Sequence, residues 1–253
     1  MINLVEKNKV HAKEGKLASY IPALMEANPE AVGICVVDLK DKYEFWAGDS
    51  DVKFTIQSIS KVVSLIIALN DNGRTNVFSK VNVEPTGMGF NSIVNLEAAM
   101  ENRPYNPMIN AGAIVTTSLI FGETQERKLE RILNFMRRAT NNPHIGINEE
   151  IYLNEKATGD RNRALAYYMK STGALEGDVE EVLDLYFKQC SIEATARDLA
   201  RFGAVIANDG VTPWSNEVLM SRDICRIVKT IMVTCGMYDA SGEFAIHVGI
   251  PAK

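Results

Sequence analysis

An almost unbroken apolar segment is the feature of this sequence that most limits its possible folds. Residues 62–69 read VVSLIIAL, and the stretch 57–70 around them is nearly all apolar. The segment has the length of a helix and is far too short to span a bilayer. A helix that is apolar around most of its circumference has to be covered by other elements. We therefore predict that residues 57–70 form a helix buried on most of its faces.

The composition is that of a globular protein that acts on small molecules. Of the 253 residues, 46% are hydrophobic and 23% are charged, which is enough apolar material for a substantial core. The 27 Lys and Arg residues against 32 Asp and Glu residues give a formal net charge of −5. An acidic chain without a basic block is a poor match for nucleic acid or an anionic membrane surface, so we predict neither as a partner.

Cysteine usage and the N-terminal residues indicate a reducing compartment. The four cysteines, at 35, 190, 225 and 235, lack CxxC spacing, and three lie in apolar or helical-looking stretches that are typical of buried thiols. The first sixteen residues contain no apolar core of a signal peptide. We therefore predict a cytoplasmic protein. The three histidines are scattered without metal-ligand spacing, and no phosphate-binding glycine loop occurs, so we expect neither metal nor cofactor.

Local patterns predict an α+β fold with a helical middle. A β-hairpin is expected at 31–38 and 43–47, and a late strand at 243–250. Predicted helices cover 17–27, 57–70, 93–102, 109–121, 125–140, 147–157, 161–171, 178–189, 193–208 and 222–232, with Ser191 as the cap of the helix at 193–208. We expect a single domain over 1–253, with an antiparallel sheet from about 15–56 and 240–253, flanking helices and a mainly helical lobe. Because the strand at 243–250 ends so close to Lys253, we expect its neighbouring strand to lie beyond that residue.

Two residues that carry chemistry, Ser58 and Lys61, introduce the apolar helix. Their i, i+3 spacing places a hydroxyl and an amine on one helical face, with about 5–6 Å between the Cβ atoms. A serine needs a neighbouring base to act as a nucleophile, and a lysine in a dry site loses its proton more readily because desolvation disfavours the ammonium form. The start of the helix would add N–H groups for a developing oxyanion. The motif alone is weak, but solvated lysines rarely introduce a buried helix.

Three further groups of residues allow both a structural and a functional interpretation. Asn110 opens a run of small residues, and it is either a helix cap or an amide that binds a ligand. Glu155 and Asn162 either end a solvated helix with charge pairs or bind a ligand together. Tyr186 and Tyr238 are either core side chains or site residues.

Seven separated stretches resemble the serine-dependent glutaminase family. In order, they are KLASYIPALMEANPE, FTIQSISK, EPTGMGFNSI, RPYNPMINAGAI, the Arg161-Asn162 pair, DLYFKQCSIE and MYDASGEFAIHVGIPAK. The match runs from about residue 15 to the last residue without large gaps, and Ser58-x-x-Lys61 also resembles the signature of serine β-lactamases and penicillin-binding proteins. The resemblance implies a β-lactamase-like fold and hydrolysis of L-glutamine to L-glutamate and ammonia without a cofactor.

The resemblance also implies roles for individual residues. Ser58 would be the nucleophile and Lys61 its general base, with Tyr186 or Tyr238 relaying a proton. Substrate-binding roles are implied for Ser58, Asn110, Glu155, Asn162, Tyr186 and Tyr238, and positions at the pocket edge for Tyr20 and Gln57. The family's Lys-Ser-Gly-Val segment should begin at Lys253, so its oxyanion donor would lie beyond that residue. Family members commonly form dimers or tetramers, and we predict a homodimer or homotetramer.

Two other functions stay open at this point. One is a β-lactamase or DD-peptidase on the same fold, and the other is a ligand-binding module that does not turn over. Ammonia release from L-glutamine, compared with hydrolysis of a chromogenic cephalosporin, distinguishes the three functions.

Overall fold

A computed structural model, which describes residues 2–87, 89–98 and 103–253, defines the order of helices and strands. The helices are α1 (Ile2–Asn8), α2 (Ser60–Phe78), α3 (Val94–Ala98), α4 (Asn110–Ser118), α5 (Gln125–Thr140), α6 (Glu149–Thr158), α7 (Asp160–Ser171), α8 (Val179–Cys190), α9 (Ala196–Ala207), α10 (Arg222–Cys235) and α11 (Ser241–His247). The strands are β1 (Gly33–Asp38), β2 (Tyr43–Gly48), β3 (Phe54–Thr55) and β4 (Glu193–Ala194), which form the antiparallel pairs β1–β2 and β3–β4. The predicted α+β class is confirmed.

The chain divides into two compact units. The first comprises Met1–Ile56, Leu133–Thr158 and Ser191–Ser221, and the second comprises Gln57–Ile132, Gly159–Cys190 and Arg222–Lys253. Each unit is therefore assembled from three separated stretches of the sequence. That residues 1–253 form a single domain stays a prediction.

The first unit is built on the hairpin β1–β2. Its antiparallel register pairs Gly33 with Gly48, and α9 packs on β1. Arg201 and Arg197 on α9 form ion pairs with Glu44 on β2. The hydrogen bond from Arg201 holds the pKa of Glu44 below its usual range, and the charge of Arg197 acts in the same direction. These ion pairs tie the hairpin to α9.

The second unit is organised around α2. Every residue from Ser60 to Leu69 is buried, and α4 and α10 pack on this helix. The helix that we predict from the apolar segment is confirmed, and a single 3-10 turn over Gln57–Ile59 precedes it. At Gly73 the φ angle of 71° interrupts the helical path before it continues to Phe78.

Close packing in front of α4 explains the run of small residues at its start. A Cβ atom at Gly112 would overlap the backbone of Asn106, so only glycine allows this approach. The Asn106 side chain accepts hydrogen bonds from the backbone N–H groups of Met108 and Ile109. The segment that leads into α4 is therefore fixed by Asn106, and the side chain of Asn110 makes no cap bond to its own helix.

Several predicted elements are confirmed by these bounds. The hairpin is β1–β2, and the helix predicted at 125–140 is α5 over the same residues. The other predicted helices from 109 to 232 correspond to α4 and α6–α10 with ends shifted by a few residues, and Gly159 separates α6 from α7. The helix predicted at 93–102 is α3 as far as Ala98, and 99–102 lie outside the described residues.

The strand predicted at 243–250 is wrong. Most of these residues belong to α11, which packs on α10, and Gly249 at a φ of 77° follows its end. The sequence EFAIHVGI does not alternate between apolar and polar residues, and a short apolar run suits a helix as well as a strand. The predicted sheet that joins the first and last β segments is therefore replaced by the pair β1–β2, and the expectation of a strand beyond Lys253 loses its basis.

Two local predictions are also wrong. The stretch 17–27 contains only a 3-10 helix, Pro22–Glu26, which starts at a proline. The cap of α9 is Thr195 rather than Ser191, because Thr195 and Asp198 form a reciprocal capping box. Residues 193–194, which fall within the helix predicted at 193–208, instead form strand β4 and pair with β3.

Within residues 2–87, 89–98 and 103–253, no helix is both long and apolar enough to span a bilayer. All four cysteines are thiols.

Candidate active site

Ser58 and Lys61 lie where the buried helix α2 begins. Ser58 belongs to the 3-10 turn and is part-buried, whereas Lys61 lies one turn later with 0% of its surface exposed. The Nζ atom of Lys61 donates a hydrogen bond of 2.7 Å to the Oγ atom of Ser58. The helical spacing brings the two groups together, and the positive end of the α2 dipole lies beside them. The arrangement supplies a hydroxyl in direct contact with an amine.

Tyr238 reaches the same amine from a distant part of the chain. Lys61 Nζ donates to the Tyr238 hydroxyl at 3.4 Å and lies 5.6 Å from the centroid of its ring. The backbone of Tyr238 has a φ of 58°, in the left-handed region that residues other than glycine rarely adopt. Such strained conformations persist where the surrounding structure enforces them, and they are frequent at functional sites.

Two residues that we did not predict as site residues pack on Tyr238. The Phe90 ring centroid lies 5.1 Å from that of Tyr238, with 36° between the ring planes. Lys253 Nζ lies 3.4 Å from the Tyr238 centroid and donates a hydrogen bond of 3.0 Å to the carbonyl oxygen of Gly236. No hydrophobic periodicity in the sequence indicates a role for Phe90. Lys253 is predicted only as the first residue of the family's Lys-Ser-Gly-Val segment.

Burial changes the protonation of Lys253. Desolvation, together with the charge of Lys61, lowers the pKa of Lys253 to about 6. At pH 7 the Lys253 side chain is therefore mainly a neutral amine beside the tyrosine ring.

This pKa makes the stability of the protein depend on pH. The folded-state value of about 6 lies below the ordinary 10.5, so between these values the unfolded chain binds more protons at this group. The free energy of unfolding should rise with pH by about 1.4 kcal/mol per pH unit from this group alone. Lys253→Met should therefore flatten the rise between about pH 7 and pH 9, measured by urea unfolding. Lys170→Met, which removes an exposed lysine of α7, controls for the loss of charge; equal slopes in wild type and Lys253→Met would contradict the assignment.

Asn110 and Asn162 form an amide pair in the same unit. The Nδ2 atom of Asn110, at the start of α4, donates to the Oδ1 atom of Asn162 on α7 at 2.9 Å. The backbone N–H of Asn110 donates to the carbonyl oxygen of Phe90, at 2.9 Å. Phe90 thus contacts Tyr238 through its ring and Asn110 through its backbone carbonyl. The interpretation of Asn110 as a helix cap is therefore excluded. Its side-chain amide instead pairs with the amide of Asn162.

Tyr186 lies on a helix that packs on the 3-10 turn of Ser58, and Gln57 belongs to that turn. Tyr186 lies on α8, which packs on α4 and on the 3-10 turn that carries Ser58. Its side chain is 2% exposed, and its ring packs edge-to-face on Phe187 at 6.0 Å. Gln57, immediately before Ser58, has a φ of 45°, so the backbone is strained where the serine is presented.

Tyr20 and Glu155 belong to the first unit. Tyr20 is 60% exposed, and Glu155 is a buried carboxylate on α6. The second unit links Ser58, Lys61 and Tyr238 through hydrogen bonds and pairs Asn110 with Asn162, whereas the roles of Tyr20 and Glu155 stay predictions.

The chemical groups in the described site are suited to organic acyl chemistry. The Lys61 amine contacts Ser58, the Tyr238 hydroxyl contacts that amine, and the Asn110 and Asn162 amides pair in the same unit. Such groups can serve as base, nucleophile and hydrogen-bonding partners. In residues 2–87, 89–98 and 103–253 no three His, Cys, Asp or Glu side chains cluster in a way that could hold a metal ion.

Comparison with known proteins links this arrangement to one family. The model of the glutaminase family matches residues 15–253. Glutaminase 2 of Clostridium perfringens is 62% identical over 251 residues, which cover 99% of this chain and 82% of the relative. A Bacillus glutaminase of known structure has a TM-score of 0.91 at 42% identity, covering 100% of this chain and 80% of that chain.

A second solved structure shows covalent chemistry in a relative. It is the complex between a Bacillus subtilis glutaminase and 5-oxo-L-norleucine, formed by reaction with 6-diazo-5-oxo-L-norleucine. Its TM-score is 0.89 at 42% identity, and the alignment covers 100% of this chain and 80% of that one. These similarities confirm the predicted α+β fold of the serine β-lactamase type and decide among the three functions left open by the sequence. The chain belongs to the glutaminase family, and it is an enzyme that hydrolyses L-glutamine to L-glutamate and ammonia.

Proposed function

We propose that this glutaminase acts through a Ser58–Lys61 pair and a covalent γ-glutamyl ester. The observation that carries the proposal is the 2.7 Å contact between Lys61 Nζ and Ser58 Oγ, made by a lysine with no exposed surface. A buried amine has few partners other than the hydroxyl, so transfer of the hydroxyl proton to Lys61 is direct. The proposal requires no cofactor.

The reaction follows from the groups in contact. Ser58 Oγ attacks the δ-carbonyl carbon of glutamine while its proton passes to Lys61 Nζ. The C–N bond then breaks, and the nitrogen leaves as ammonia after receiving a proton through the Tyr238 hydroxyl, which lies 3.4 Å from Lys61 Nζ. Lys61 next takes a proton from a water molecule that attacks the ester, and glutamate leaves as Ser58 regains its proton. The dipole at the start of α2 favours the oxyanion in both halves.

Glutamine presents two charged groups that the enzyme has to bind. For the α-ammonium group we propose the buried carboxylate of Glu155. For the α-carboxylate and the amide we propose Asn110, Asn162, Tyr186 and Tyr238, with Tyr20 and Gln57 at the pocket edge. The bond between the two asparagines uses the nitrogen of Asn110 and the oxygen of Asn162. It leaves an acceptor on Asn110 and a donor on Asn162 for the substrate.

The role of Glu155 predicts a defect in binding. Glu155→Gln removes a charge-assisted hydrogen bond to the substrate ammonium, in both the ground state and the transition state. We expect KM to rise by about one to two decades, equivalent to about 1.5–3 kcal/mol, with kcat nearly unchanged. Steady-state kinetics of ammonia release measures both constants, and Glu149→Gln on the exposed start of α6 is the matched control. An unchanged KM with a collapsed kcat would place Glu155 in the chemical step instead.

Substrate preference tests the proposed function as a whole. Ammonia release from L-glutamine should be rapid, and a chromogenic cephalosporin should stay intact, because the site is proposed to hold both ends of an amino acid zwitterion. Buried groups that pair with the α-ammonium and α-carboxylate reject analogues that lack them. Turnover of the cephalosporin without glutamine hydrolysis would contradict the proposal.

We also propose that the enzyme acts in the cytoplasm as a homodimer or homotetramer, without nucleic acid or membrane partners. The thiol state of the cysteines and the net charge of −5 support the location and the absence of those partners. Exposed Tyr43, Phe45 and Val36 on the β1–β2 hairpin support self-association. Light scattering on the purified protein measures the assembly.

A further inference from the structure

We propose that Phe90 is a positioning residue that holds Tyr238 in place for proton transfer and couples it to the asparagine pair. The proposal rests on the role of Tyr238 in the function proposed above. Phe90 lies between α2 and α3, within the stretch EPTGMGFNSI that resembles the glutaminase family, and the resemblance gave this residue no role.

The first observation is the contact between the two rings. Phe90 and Tyr238 lie 5.1 Å apart between centroids with a tilt of 36°, a geometry in the range of favourable aromatic pairs. Lys61 Nζ lies 5.9 Å from the Phe90 centroid and 5.6 Å from the Tyr238 centroid. The amine therefore lies near both rings, and a Tyr238 ring that moved away from Phe90 would change the distance from Lys61 Nζ to the Tyr238 hydroxyl.

The second observation is that this loop is tied to the two helices that carry the asparagine pair. The Phe90 carbonyl accepts the backbone N–H of Asn110, one of the N–H groups that the first turn of α4 cannot satisfy itself. The next carbonyl, of Asn91, accepts a 3.0 Å hydrogen bond from Arg161 Nε, and Arg161 directly precedes Asn162. The main chain at 90–91 is thereby fixed to α4 and α7, and the Phe90 side chain extends from that anchored point toward Tyr238.

The third observation is that Tyr238 needs such support. Its left-handed backbone is unfavourable for a residue with a side chain. Tyr238 also lines a cavity of about 500 Å³, together with Val233, Asp239 and Ala245, so close packing surrounds it only in part. Phe90 itself is 40% exposed, so its ring is held by the contact with Tyr238 and by the main-chain bonds at 90–91 rather than by burial.

The test is a double-mutant cycle with Tyr238. Phe90→Leu keeps an apolar side chain and removes the aromatic contact, and we expect kcat for glutamine to fall about three- to tenfold with KM within twofold. Phe90→Tyr should keep kcat near the wild-type value, because tyrosine retains the aromatic ring. In a Tyr238→Phe background, which lacks the hydroxyl to be positioned, Phe90→Leu should change kcat by less than twofold.

The control is Phe121→Leu, the same change at an exposed phenylalanine beyond the other end of α4, which should leave kcat unchanged. Thermal unfolding of each variant confirms that it is folded. Wild-type kcat in Phe90→Leu or in Tyr238→Phe, or a Phe90→Leu loss that persists in full without the tyrosine hydroxyl, would overturn the inference. These results would leave the Ser58–Lys61 pair standing, because variants of Ser58 and Lys61 test that pair separately.

Discussion

Ser58→Ala should abolish glutamine hydrolysis and leave the protein folded. Without the hydroxyl no ester forms, and loss of a nucleophile typically lowers kcat by about 10⁴-fold or more. The stability should change little, because Ser58 is part-buried and its Oγ atom contacts a lysine whose amine keeps the Tyr238 hydroxyl as a second partner. Ammonia release and circular dichroism measure the two effects.

The matched control for this variant is a neighbouring serine. Ser64→Ala removes another hydroxyl from α2, one turn into the helix, where Ser64 Oγ donates a hydrogen bond to the Lys61 carbonyl oxygen. We expect this variant to lose some stability, because a buried hydrogen bond is broken, and to keep a wild-type kcat. Ser58→Ala activity within tenfold of wild type would remove Ser58 from the mechanism.

Lys61→Arg should fail as severely as Lys61→Ala. Arginine keeps the positive charge but cannot act as a base near pH 7, and loss of a general base typically costs about 10²–10⁴-fold in kcat. Because Lys61 is fully buried, the larger guanidinium could also disturb packing, so Lys61→Met serves as a neutral variant of similar length. All three variants should be inactive, and at least the methionine variant should unfold at a temperature no lower than wild type.

Two outcomes separate the possible roles of Lys61. A folded but inactive Lys61→Met supports the loss of a base rather than of structure. A Lys61→Arg enzyme with substantial kcat would show instead that the residue contributes only its charge.

The parts of the fold that the sequence predicted correctly depend on local patterns. The buried helix follows from its apolar residues, α5 from its amphipathic spacing, and the hairpin from two β-branched or aromatic runs around a polar turn. The pairing of Ser58 with Lys61 belongs to the same class, because three residues along a helix determine the contact.

The parts that could not be predicted depend on contacts between distant residues. The run EFAIHVGI has no period that distinguishes a helix from a strand, and its packing on α10 decides in favour of a helix. Tyr238 approaches Lys61 across 177 residues, and no local pattern encodes that contact. The contacts of Lys253 and Phe90 with the same tyrosine likewise depend on the tertiary fold.

Family resemblance supplied the identities of distant site residues where local patterns could not. Asn110 taken alone favours a helix cap, and its bond to Asn162 forms only because α4 and α7 pack together. A buried Glu155 alone indicates no ligand. The sequence motifs therefore selected the residues, and the structure supplied the geometry for those in the second unit.

Covalent labelling with 6-diazo-5-oxo-L-norleucine shows directly whether Ser58 is the nucleophile. A Bacillus subtilis relative forms a covalent 5-oxo-L-norleucine complex with this reagent. Intact mass spectrometry of the labelled enzyme, followed by peptide mapping, reports the number and place of adducts. We expect one 5-oxo-norleucyl group per chain, attached to Ser58, and no adduct in Ser58→Ala. An adduct on another residue, or equal labelling of Ser58→Ala, would contradict it.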